Sequence, residues 1–380
     1  MPGEASCTAA PFAALSPGFE RLSFEDVPGW QQDTVVDAFH AFARSAAHVE
    51  TKPYRSGSLG IVLSAFAPAY TAARAMLDAP DADERAARAF FEDHFIPCRI
   101  RSEDGGPGFV TGYYEPEVEA SRVKTGRFHV PLYRRPRDLV DVDDSNRPRD
   151  LDPYFAFARE TDSGLVAYHD RGAIDRGALT GRGLELVWLD DRVDAYFIHV
   201  QGAARLRLQD GSVMRVTYAA KSGHYFTGAG KVLIELGELS PEAVTMQSIR
   251  AWFSENPDRI DEILWQNRSF IFFRETQVGD SELGPVAAAK VQLTPGRSIA
   301  VDRLLHTFGT PFFIDAPDLR AVDGGPLRRL MIAQDTGSAI TGQARADLFI
   351  GSGFAAGEVA GGIRHKADFY ALVPRTLLGG

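Results

Sequence analysis

Residues 333–353 read AQDTGSAITGQARADLFIGSG, two short apolar runs on either side of a glycine-rich bend. Asp335 ends the first run and Asp347 begins the second, and the upstream stretch PGRSIAVD ends in the same way in Asp302. Aspartates at strand ends usually close turns, because their carboxylates accept hydrogen bonds from nearby backbone N–H groups. Alternatively, one of them donates a proton to a substrate. The stretch by itself leaves both interpretations open.

The first hundred residues show helical periodicity. Residues 31–46 predict a helix with Asp33 as its N-cap. A second helix is predicted to break at Pro68, and a third runs up to Pro97. The apolar face of the first helix is predicted to consist of Val35, Val36, Phe39, Phe42 and Ala46.

From GFVTGYYEPEVEAS (residues 108–121) to about Tyr218, apolar and polar residues alternate, as is typical of β-strands. Asp210-Gly211 between two alternating runs predicts a hairpin. In HVQGAARLRL (199–208), Gln201 and Gly202 are predicted to lie at the end of an apolar strand.

Helical periodicity returns after Ser240 and Pro241, which fit the N-cap and first helical positions, and the remainder is again strands and turns. This helical–β–helical–β order predicts a mainly β, α+β fold. The middle segment, residues 120–245, would be an insertion into a domain built from residues 1–119 and 246–380.

Composition limits the classes of function. The net charge is −10 over 380 residues, and no dense Lys/Arg run is present, which argues against nucleic-acid binding. Cys7 and Cys98 are too far apart for a metal motif and leave the disulfide state open, and no histidine lies in an HExxH or HxH pattern. We therefore expect no metal and no cofactor. No apolar run approaches the roughly 18 residues of a membrane span, and no secretion signal is visible at the N-terminus.

Acid catalysis of glycosidic bond cleavage needs a carboxyl group that is protonated at working pH. Apolar neighbours favour the neutral acid, and Asp347 is followed by Leu348, Phe349 and Ile350. Asp335 precedes a loop rich in hydrogen-bond donors, which favours the carboxylate. Of the two, Asp347 is the better candidate for the acid.

Two further stretches offer groups that could bind a sugar. Thr111, Gly112, Tyr113 and Tyr114 could form a lip of hydroxyls and aromatic faces, or the two tyrosines could simply alternate on a strand. Gln201 could present its amide to a cleft, or its amide could form hydrogen bonds with the backbone of a loop.

Five segments in order resemble the lytic transglycosylases of the MltA type, over roughly Phe19 to Arg375. The segments are FVTGYYEPEVEAS, GRGLELVWLDDRVDAYFIHVQGAARLRLQDGS, NRSFIFFRE, LTPGRSIAVD and AQDTGSAITGQARADLFIGSG. The last two resemble the family's C-terminal three-aspartate (3D) module. The resemblance implies a double-psi β-barrel domain with N-terminal helices and an inserted second β-barrel domain.

The resemblance also implies an activity, which is non-hydrolytic cleavage of the β-1,4 bond between N-acetylmuramic acid and N-acetylglucosamine in peptidoglycan. The product would carry a 1,6-anhydromuramyl end. Asp347 matches the single catalytic aspartate, and Asp335 and Asp302 would support it. The substrate-binding residues would be Thr111, Gly112, Tyr113, Gln201 and Gly202.

The implied partners are peptidoglycan glycan strands, with cell-wall synthesis or hydrolysis enzymes as protein partners and no nucleic acid. The implied location is the periplasm or cell envelope, in association with the outer membrane. Two departures stand out. Cys7 in EASC is a poor match to a lipid-attachment site, and Ala289-Lys290 replaces an expected small or glycine-containing turn.

Two rival functions remain open from the sequence. An inverting hydrolase would pair Asp347 with Asp335 or Asp302 as the base that activates water. A non-catalytic peptidoglycan-binding barrel would keep the groove without cleavage.

Overall fold

The computed structural model describes residues 15–77, 83–277, 279–322 and 324–379, which form seventeen strands and ten α-helices. The strands are β1 (Glu20–Arg21), β2 (Phe95–Ile100), β3 (Gly108–Glu115), β4 (Glu117–Ala120), β5 (Val130–Tyr133), β6 (Leu139–Asp141), β7 (Phe157–Thr161), β8 (Gly164–Val166), β9 (Glu185–Leu189), β10 (Ala203–Leu208), β11 (Val213–Lys221), β12 (Ile271–Thr276), β13 (Ser298–Val301), β14 (Pro311–Ala316), β15 (Leu327–Asp335), β16 (Arg345–Ser352) and β17 (Arg364–Pro374). The helices are α1 (Val36–Thr51), α2 (Ala67–Leu77), α3 (Glu84–His94), α4 (Arg171–Ala173), α5 (Arg192–Gln201), α6 (Ala229–Glu235), α7 (Met246–Glu255), α8 (Ile260–Leu264), α9 (Gly353–Gly361) and α10 (Arg375–Leu378). The predicted mixture of helices and strands is confirmed.

The chain divides into two compact units, and each is assembled from separate segments. The first unit comprises Met1–Val110, Ala288–Leu348 and Arg364–Gly380, and the second comprises Thr111–Ala287 and Phe349–Ile363. The domain limits predicted above, at residues 119/120 and 245/246, describe a different partition and stay a prediction.

One sheet dominates the first unit, and its strand order departs from the chain order. The order is β1-β2-β17-β14-β15-β13-β16-β3, and β3 also pairs with β17. Within this order, β13 is parallel to β15 on one side and antiparallel to β16 on the other. Asp335 is the last residue of β15, Asp347 lies in β16, and Asp302 directly follows β13. The sheet order therefore places all three aspartates on or beside neighbouring strands.

Helix α1 packs its apolar face into an aromatic core of the first unit. Phe39, Phe42 and Ala46 are buried, as the periodicity predicts. The ring of Phe42 lies 5.3–6.1 Å from four other aromatic rings. Removing such a side chain typically costs about 3–5 kcal/mol, because a core of this density cannot close over the cavity. The four rings around Phe42 belong to Tyr70, Phe90, Phe91 and Phe95.

The predicted N-cap of α1 is wrong. Its N-cap residue is Val35, and the carboxylate of Asp33 instead accepts two 2.8 Å hydrogen bonds from the guanidinium of Arg297. The N–H groups of Val35 and Val36, at the start of α1, donate to the carboxylate of Glu84 at 2.9 and 3.0 Å. A carboxylate from α3 thus replaces the local cap, which a local sequence pattern cannot reveal.

Two other element boundaries differ from the prediction, and a third agrees with it. Helix α7 starts after Thr245, whose hydroxyl forms a capping box with Ser248, and not after Ser240. Helix α3 ends at His94, and β2 then includes Pro97. Pro68 lies in the first turn of α2, directly after the 3-10 helix Leu63–Phe66, so the predicted break is confirmed.

The second unit contains smaller sheets with the orders β12-β11-β10-β4, β5-β9 and β6-β7-β8. The predicted hairpin joins β10 to β11, with Arg207 opposite Val213. Gly211 has a φ of 83°, and Asp210 accepts a 2.9 Å hydrogen bond from the N–H of Ser212. Only glycine adopts such a φ without strain, which explains why the Asp-Gly pair marks this turn.

The prediction that Gln201 and Gly202 end an apolar strand is wrong, because they end a helix. Residues Arg192–Gln201 form helix α5, and the strand β10 starts at Ala203. The carboxylate of Asp191 accepts a 2.8 Å hydrogen bond from the N–H of Asp194 and caps this helix. The run AYFIHV is apolar on several sides because α5 packs between two core clusters, so its periodicity is weak.

The two cysteines have different outcomes. Cys98 is buried in β2 as a free thiol, and burial raises its pKa to about 11. Cys7 lies outside the described residues.

Candidate active site

Asp335 and Asp347 lie in one row across the sheet of the first unit. Ala300 of β13 is opposite Asp335 of β15 on one side and opposite Asp347 of β16 on the other. Residues directly opposite one another project to the same face of a sheet. Two strand spacings separate the Cα atoms of the aspartates, which amounts to roughly 9.5 Å. Both carboxylates are half-buried and lie on the same face.

A bulge immediately before Asp335 fixes its position. The register between β13 and β15 shifts between Ile299 and Ala300, so Gln334 has no residue opposite it. The completely buried amide of Gln334 donates to the carbonyl oxygen of Ala41 at 2.7 Å and accepts from Ser298 Oγ at 2.6 Å. Bulges redirect the following side chain, and here the bulge is anchored to helix α1.

Asp302 braces the loop that connects β15 to β16. Its two carboxylate oxygens accept hydrogen bonds, each of 3.0 Å, from the N–H groups of Leu304 and Gly342. Gly342 belongs to the glycine-rich bend between Asp335 and Asp347. Asp302 therefore holds the bend in place, as the turn-closing interpretation predicts for an aspartate at a strand end.

Asp347 has a cationic neighbour that the sequence analysis did not consider. Arg345 lies two residues earlier on the same strand, so both side chains project to the same face. Burial lowers the pKa of Arg345, and the negative charge of Asp347 opposes this change. The guanidinium of Arg345 also lies 5.5 Å from the ring centroid of Phe109. On the other strand of the row, Asp335 Oδ1 accepts a 3.2 Å hydrogen bond from the N–H of Ala288.

In the second unit, the end of α5 contacts strand β3. The side-chain oxygen of Gln201 accepts a 3.2 Å hydrogen bond from the N–H of Tyr114. Gly202 ends the helix with a φ of 75°, and its carbonyl accepts a 2.7 Å hydrogen bond from Tyr218 N–H. The structure thus places Gln201 against Tyr114, the residue that directly follows the predicted group 111–113.

Packing contacts within the protein account for Gly112 and Tyr113 without any substrate. A Cβ on Gly112 would lie 2.8–3.0 Å from atoms of Ile363 and Ala360, so glycine permits the close approach of β3 to the end of α9. The ring of Tyr113 is largely buried and lies 5.3 Å from Phe349. Thr111 is half-buried on the same strand.

A buried ion pair at the end of β3 was not anticipated. Arg215 Nε lies 2.7 Å from the carboxylate of Glu115, and Arg215 Nη2 donates a 2.9 Å hydrogen bond to it; both side chains are almost completely buried. Ser352 Oγ donates to the same carboxylate at 2.7 Å. The available signal was Arg215 within the apolar alternation of β11, because an inward-facing arginine requires an acidic partner.

No metal or membrane feature appears in the described part of the chain. No group of three or more His, Cys, Asp or Glu side chains there could hold a metal ion. No helix within those residues is long and apolar enough to cross a bilayer.

Comparisons with known proteins all indicate the same family. The profile described as "MltA specific insert domain" matches residues 109–274, and the "3D domain" profile matches residues 297–373. Membrane-bound lytic murein transglycosylase A from Escherichia coli K12 is 32% identical over 268 residues, which span 69% of this chain and 64% of that relative, just under two thirds of its length.

Solved structures extend the similarity to nearly the whole chain. The crystal structure of a membrane-bound lytic murein transglycosylase from Agrobacterium tumefaciens has a TM-score of 0.88 at 49% identity, and the match covers 94% of this chain and 98% of that one. E. coli MltA with bound chitohexaose has a TM-score of 0.68 at 26% identity, with 96% of each chain covered. By these matches, the chain belongs to the MltA family of lytic murein transglycosylases and carries a 3D domain.

Proposed function

We propose that this protein cleaves the β-1,4 bond between N-acetylmuramic acid and N-acetylglucosamine in peptidoglycan without adding water. The products would end in 1,6-anhydro-N-acetylmuramic acid. Asp347 is the general acid and then the general base. The observation that carries this assignment is the row in which Asp347 and Asp335 flank Ala300. This row supports the assignment because it brings two half-buried carboxylates to one face of the sheet in a chain of this family.

The chemistry requires one carboxyl group that both gives and takes a proton. Asp347 gives its proton to the glycosidic oxygen as the bond from that oxygen to C1 of the muramic acid breaks. The C6 hydroxyl of the same sugar then attacks C1, and its proton returns to the Asp347 carboxylate. The carboxyl group is regenerated, and no water enters. An internal nucleophile is already held near C1, so no second carboxylate is needed to position a water molecule.

Arg345 supports the intermediate state of this cycle. After the first proton transfer Asp347 is a carboxylate, and a nearby positive charge favours that form. The opposing effect of Asp347 on the pKa of Arg345 supports this interaction. Asp335 and Asp302 act as supporting groups, since their carboxylates accept hydrogen bonds from backbone N–H groups around the site.

For the fold, we propose that residues 1–119 and 246–380 form a double-psi β-barrel domain and that residues 120–245 form an inserted second β-barrel. The pairing of β3 with both β16 and β17 supports the first barrel, because β3 joins the two ends of the five-strand series β17-β14-β15-β13-β16. The parallel pairing of β13 with β15 between antiparallel neighbours is consistent with crossing connections.

For substrate binding, we propose a role for the residues of the second unit predicted above. The chitohexaose bound to E. coli MltA supports a glycan ligand of β-1,4-linked N-acetylated amino sugars. The names of the relatives support a location in the cell envelope, and within it we propose the periplasm and the outer membrane. The substrate-binding residues would be Thr111, Gly112, Tyr113, Gln201 and Gly202.

The row of aspartates also suits one rival. An inverting hydrolase needs two carboxyl groups about 6.5–9.5 Å apart with water between them, and Asp335 lies on the same face as Asp347. The rival predicts a different product, because water would leave a reducing end.

Product analysis tests the proposal. Purified peptidoglycan is digested with the full chain, and the released fragments are weighed by mass spectrometry before and after borohydride reduction. We expect fragments lighter by one water that borohydride does not reduce. Reducible fragments would instead establish hydrolysis, with Asp335 as the first candidate for the base. The absence of fragments would favour the non-catalytic binding barrel.

A further inference from the structure

A stacked aromatic pair in the second unit contains none of the residues that the proposed mechanism uses. The rings of Tyr154 and Tyr225 are stacked with centroids 4.0 Å apart and planes 13° apart. Tyr225 is 53% exposed although one face of its ring is covered by Tyr154. The neighbouring Phe226 is 36% exposed. Tyr225 therefore presents one flat face to solvent.

The two residues before Tyr225 are packed into the second unit and fix the position of its ring. His224, the preceding residue, is buried, and its Nε2 contacts the carbonyl oxygen of Tyr168 at 2.7 Å. Gly223 has a φ of 91°, and a Cβ there would lie 2.6 Å from the carbonyl oxygen of Phe157. Residues 223 and 224 are thus packed into the unit, while Tyr225 faces outward.

Both ends of the segment 222–227 are also tied down. Ser222 donates its N–H to the carbonyl of Phe270 at 2.9 Å and accepts the Phe270 N–H on its hydroxyl at 3.1 Å. At the other end, the N–H of Thr227 donates to the side-chain oxygen of Asn267 at 3.2 Å. A ring on a fixed backbone loses little conformational entropy when it binds a ligand.

Polar groups surround the stacked pair. The hydroxyl of Tyr225 donates to Asp152 Oδ1 at 3.1 Å, and the ammonium group of Lys221 lies 3.3 Å from the hydroxyl and 4.7 Å from the ring centroid of Tyr154. A flat apolar face bordered by a carboxylate and an ammonium group matches a ligand with an apolar face and hydroxyl groups at its rim.

We propose that Tyr225 is a sugar-stacking subsite for a glycan of β-1,4-linked N-acetylated amino sugars. In such a sugar all large substituents are equatorial, so each face of the ring exposes axial C–H bonds. These bonds carry partial positive charge and pack against the electron-rich face of an aromatic ring. Asp152 and Lys221 lie where they can reach the hydroxyl and amide groups at the sugar's rim. The choice of glycan rests on the proposed function.

The test measures binding of chitohexaose to the full chain by isothermal titration calorimetry, in an Asp347→Asn background that removes cleavage. Tyr225→Ala is expected to weaken binding by about five- to tenfold, the range for loss of one aromatic stacking partner. Tyr225→Phe keeps the ring and is expected to stay within about twofold. Leu236→Ala, which truncates another half-exposed apolar side chain of the same unit, serves as the matched control.

Equal affinities for Tyr225→Ala and Leu236→Ala would overturn the subsite, as would a change in sedimentation with glycan affinity unaltered, which would indicate a protein contact. If Tyr225→Ala does not fold, Tyr225→Leu keeps the apolar volume without the aromatic face and is expected to show the same loss. Failure of the two proposals is distinguishable. Anhydro products with Tyr225-independent binding refute the subsite alone, whereas Tyr225-dependent binding without cleavage refutes only the activity.

Discussion

The two units differ in how deeply their principal carboxylates are buried. In the first unit, Asp335 and Asp347 are half-buried and lie in one row on one face of the sheet. In the second, the carboxylate of Glu115 is completely buried and contacts the guanidinium of Arg215 and the hydroxyl of Ser352. An enclosed carboxylate cannot reach a substrate, whereas a half-buried one can. Burial thus separates candidates for chemistry from carboxylates that hold the fold.

The largest effect is expected from a change to Asp347, one of the two half-buried carboxylates. Asp347→Asn should lower the rate of anhydromuropeptide release by about 10²–10⁴-fold or more, because the amide cannot transfer the proton. The free energy of unfolding should change by less than about 1 kcal/mol, since the replacement keeps the shape of a half-buried side chain. Release is followed by chromatography and unfolding by urea titration. Turnover close to that of the wild type would exclude Asp347 as the acid.

Glu115→Gln tests the enclosed carboxylate and should mainly lower the free energy of unfolding. Without the negative charge, Arg215 is left as a buried and uncompensated cation, which costs about 3–5 kcal/mol. The matched control is Glu117→Gln, which removes a carboxylate that pairs at 3.4 Å with the more exposed Arg207. That control should cost no more than about 1 kcal/mol. Similar urea midpoints for the two variants would mean that the buried pair does not stabilise the unit.

The same contrast explains what the sequence could predict. Asp302, Asp335 and Asp347 were found because strand patterns and glycine-rich turns are local, and so was the Asp210-Gly211 hairpin. The pairing of Glu115 with Arg215 joins residues 100 positions apart, so the pattern around Arg215 indicates that a partner is needed but does not identify Glu115 as that partner.

Long-range contacts also account for the errors in the predicted elements. The bulge at Gln334 depends on contacts with α1, nearly 300 residues earlier in the chain. Helix α5 was mistaken for a strand because it is buried on more than one side, which removes the helical period from its sequence.

A smaller effect is expected from acid, which should weaken both units through buried neutral histidines. Burial lowers the pKa of His306 in the first unit to about 4, and burial with the nearby charge of Arg171 lowers the pKa of His199 in the second well below its usual value. The unfolded chain binds these protons near pH 6.5, so stability is complete above that pH and falls as the pH drops below it. For His306 the loss should reach roughly 3 kcal/mol by about pH 4.

The measurement is the free energy of unfolding between pH 7 and pH 4 for the wild type, His306→Gln and His199→Gln. Each variant should show a shallower decline than the wild type, because glutamine binds no proton. Identical slopes in all three proteins would assign the acid sensitivity to carboxylates instead.

The smallest effect is expected where the turn beside Asp335 departs from its expected composition. Among the described residues, Lys290 is the one non-glycine residue with a positive φ, at 62°. This backbone conformation is strained for a residue that has a Cβ. The turn is fixed to the Asp335 strand, because Ala289 N–H donates to the carbonyl oxygen of Gln334 at 3.0 Å. Lys290→Gly should therefore raise the free energy of unfolding by about 0.5–1 kcal/mol, as relief of strain exceeds the entropy that glycine adds to the unfolded chain. Lys290→Ala removes the same charge but keeps the Cβ, so the difference between the two variants isolates the backbone term. If both variants are equally stable, the left-handed conformation is not strained, and the departure from a glycine turn carries no energetic consequence for the aspartate row.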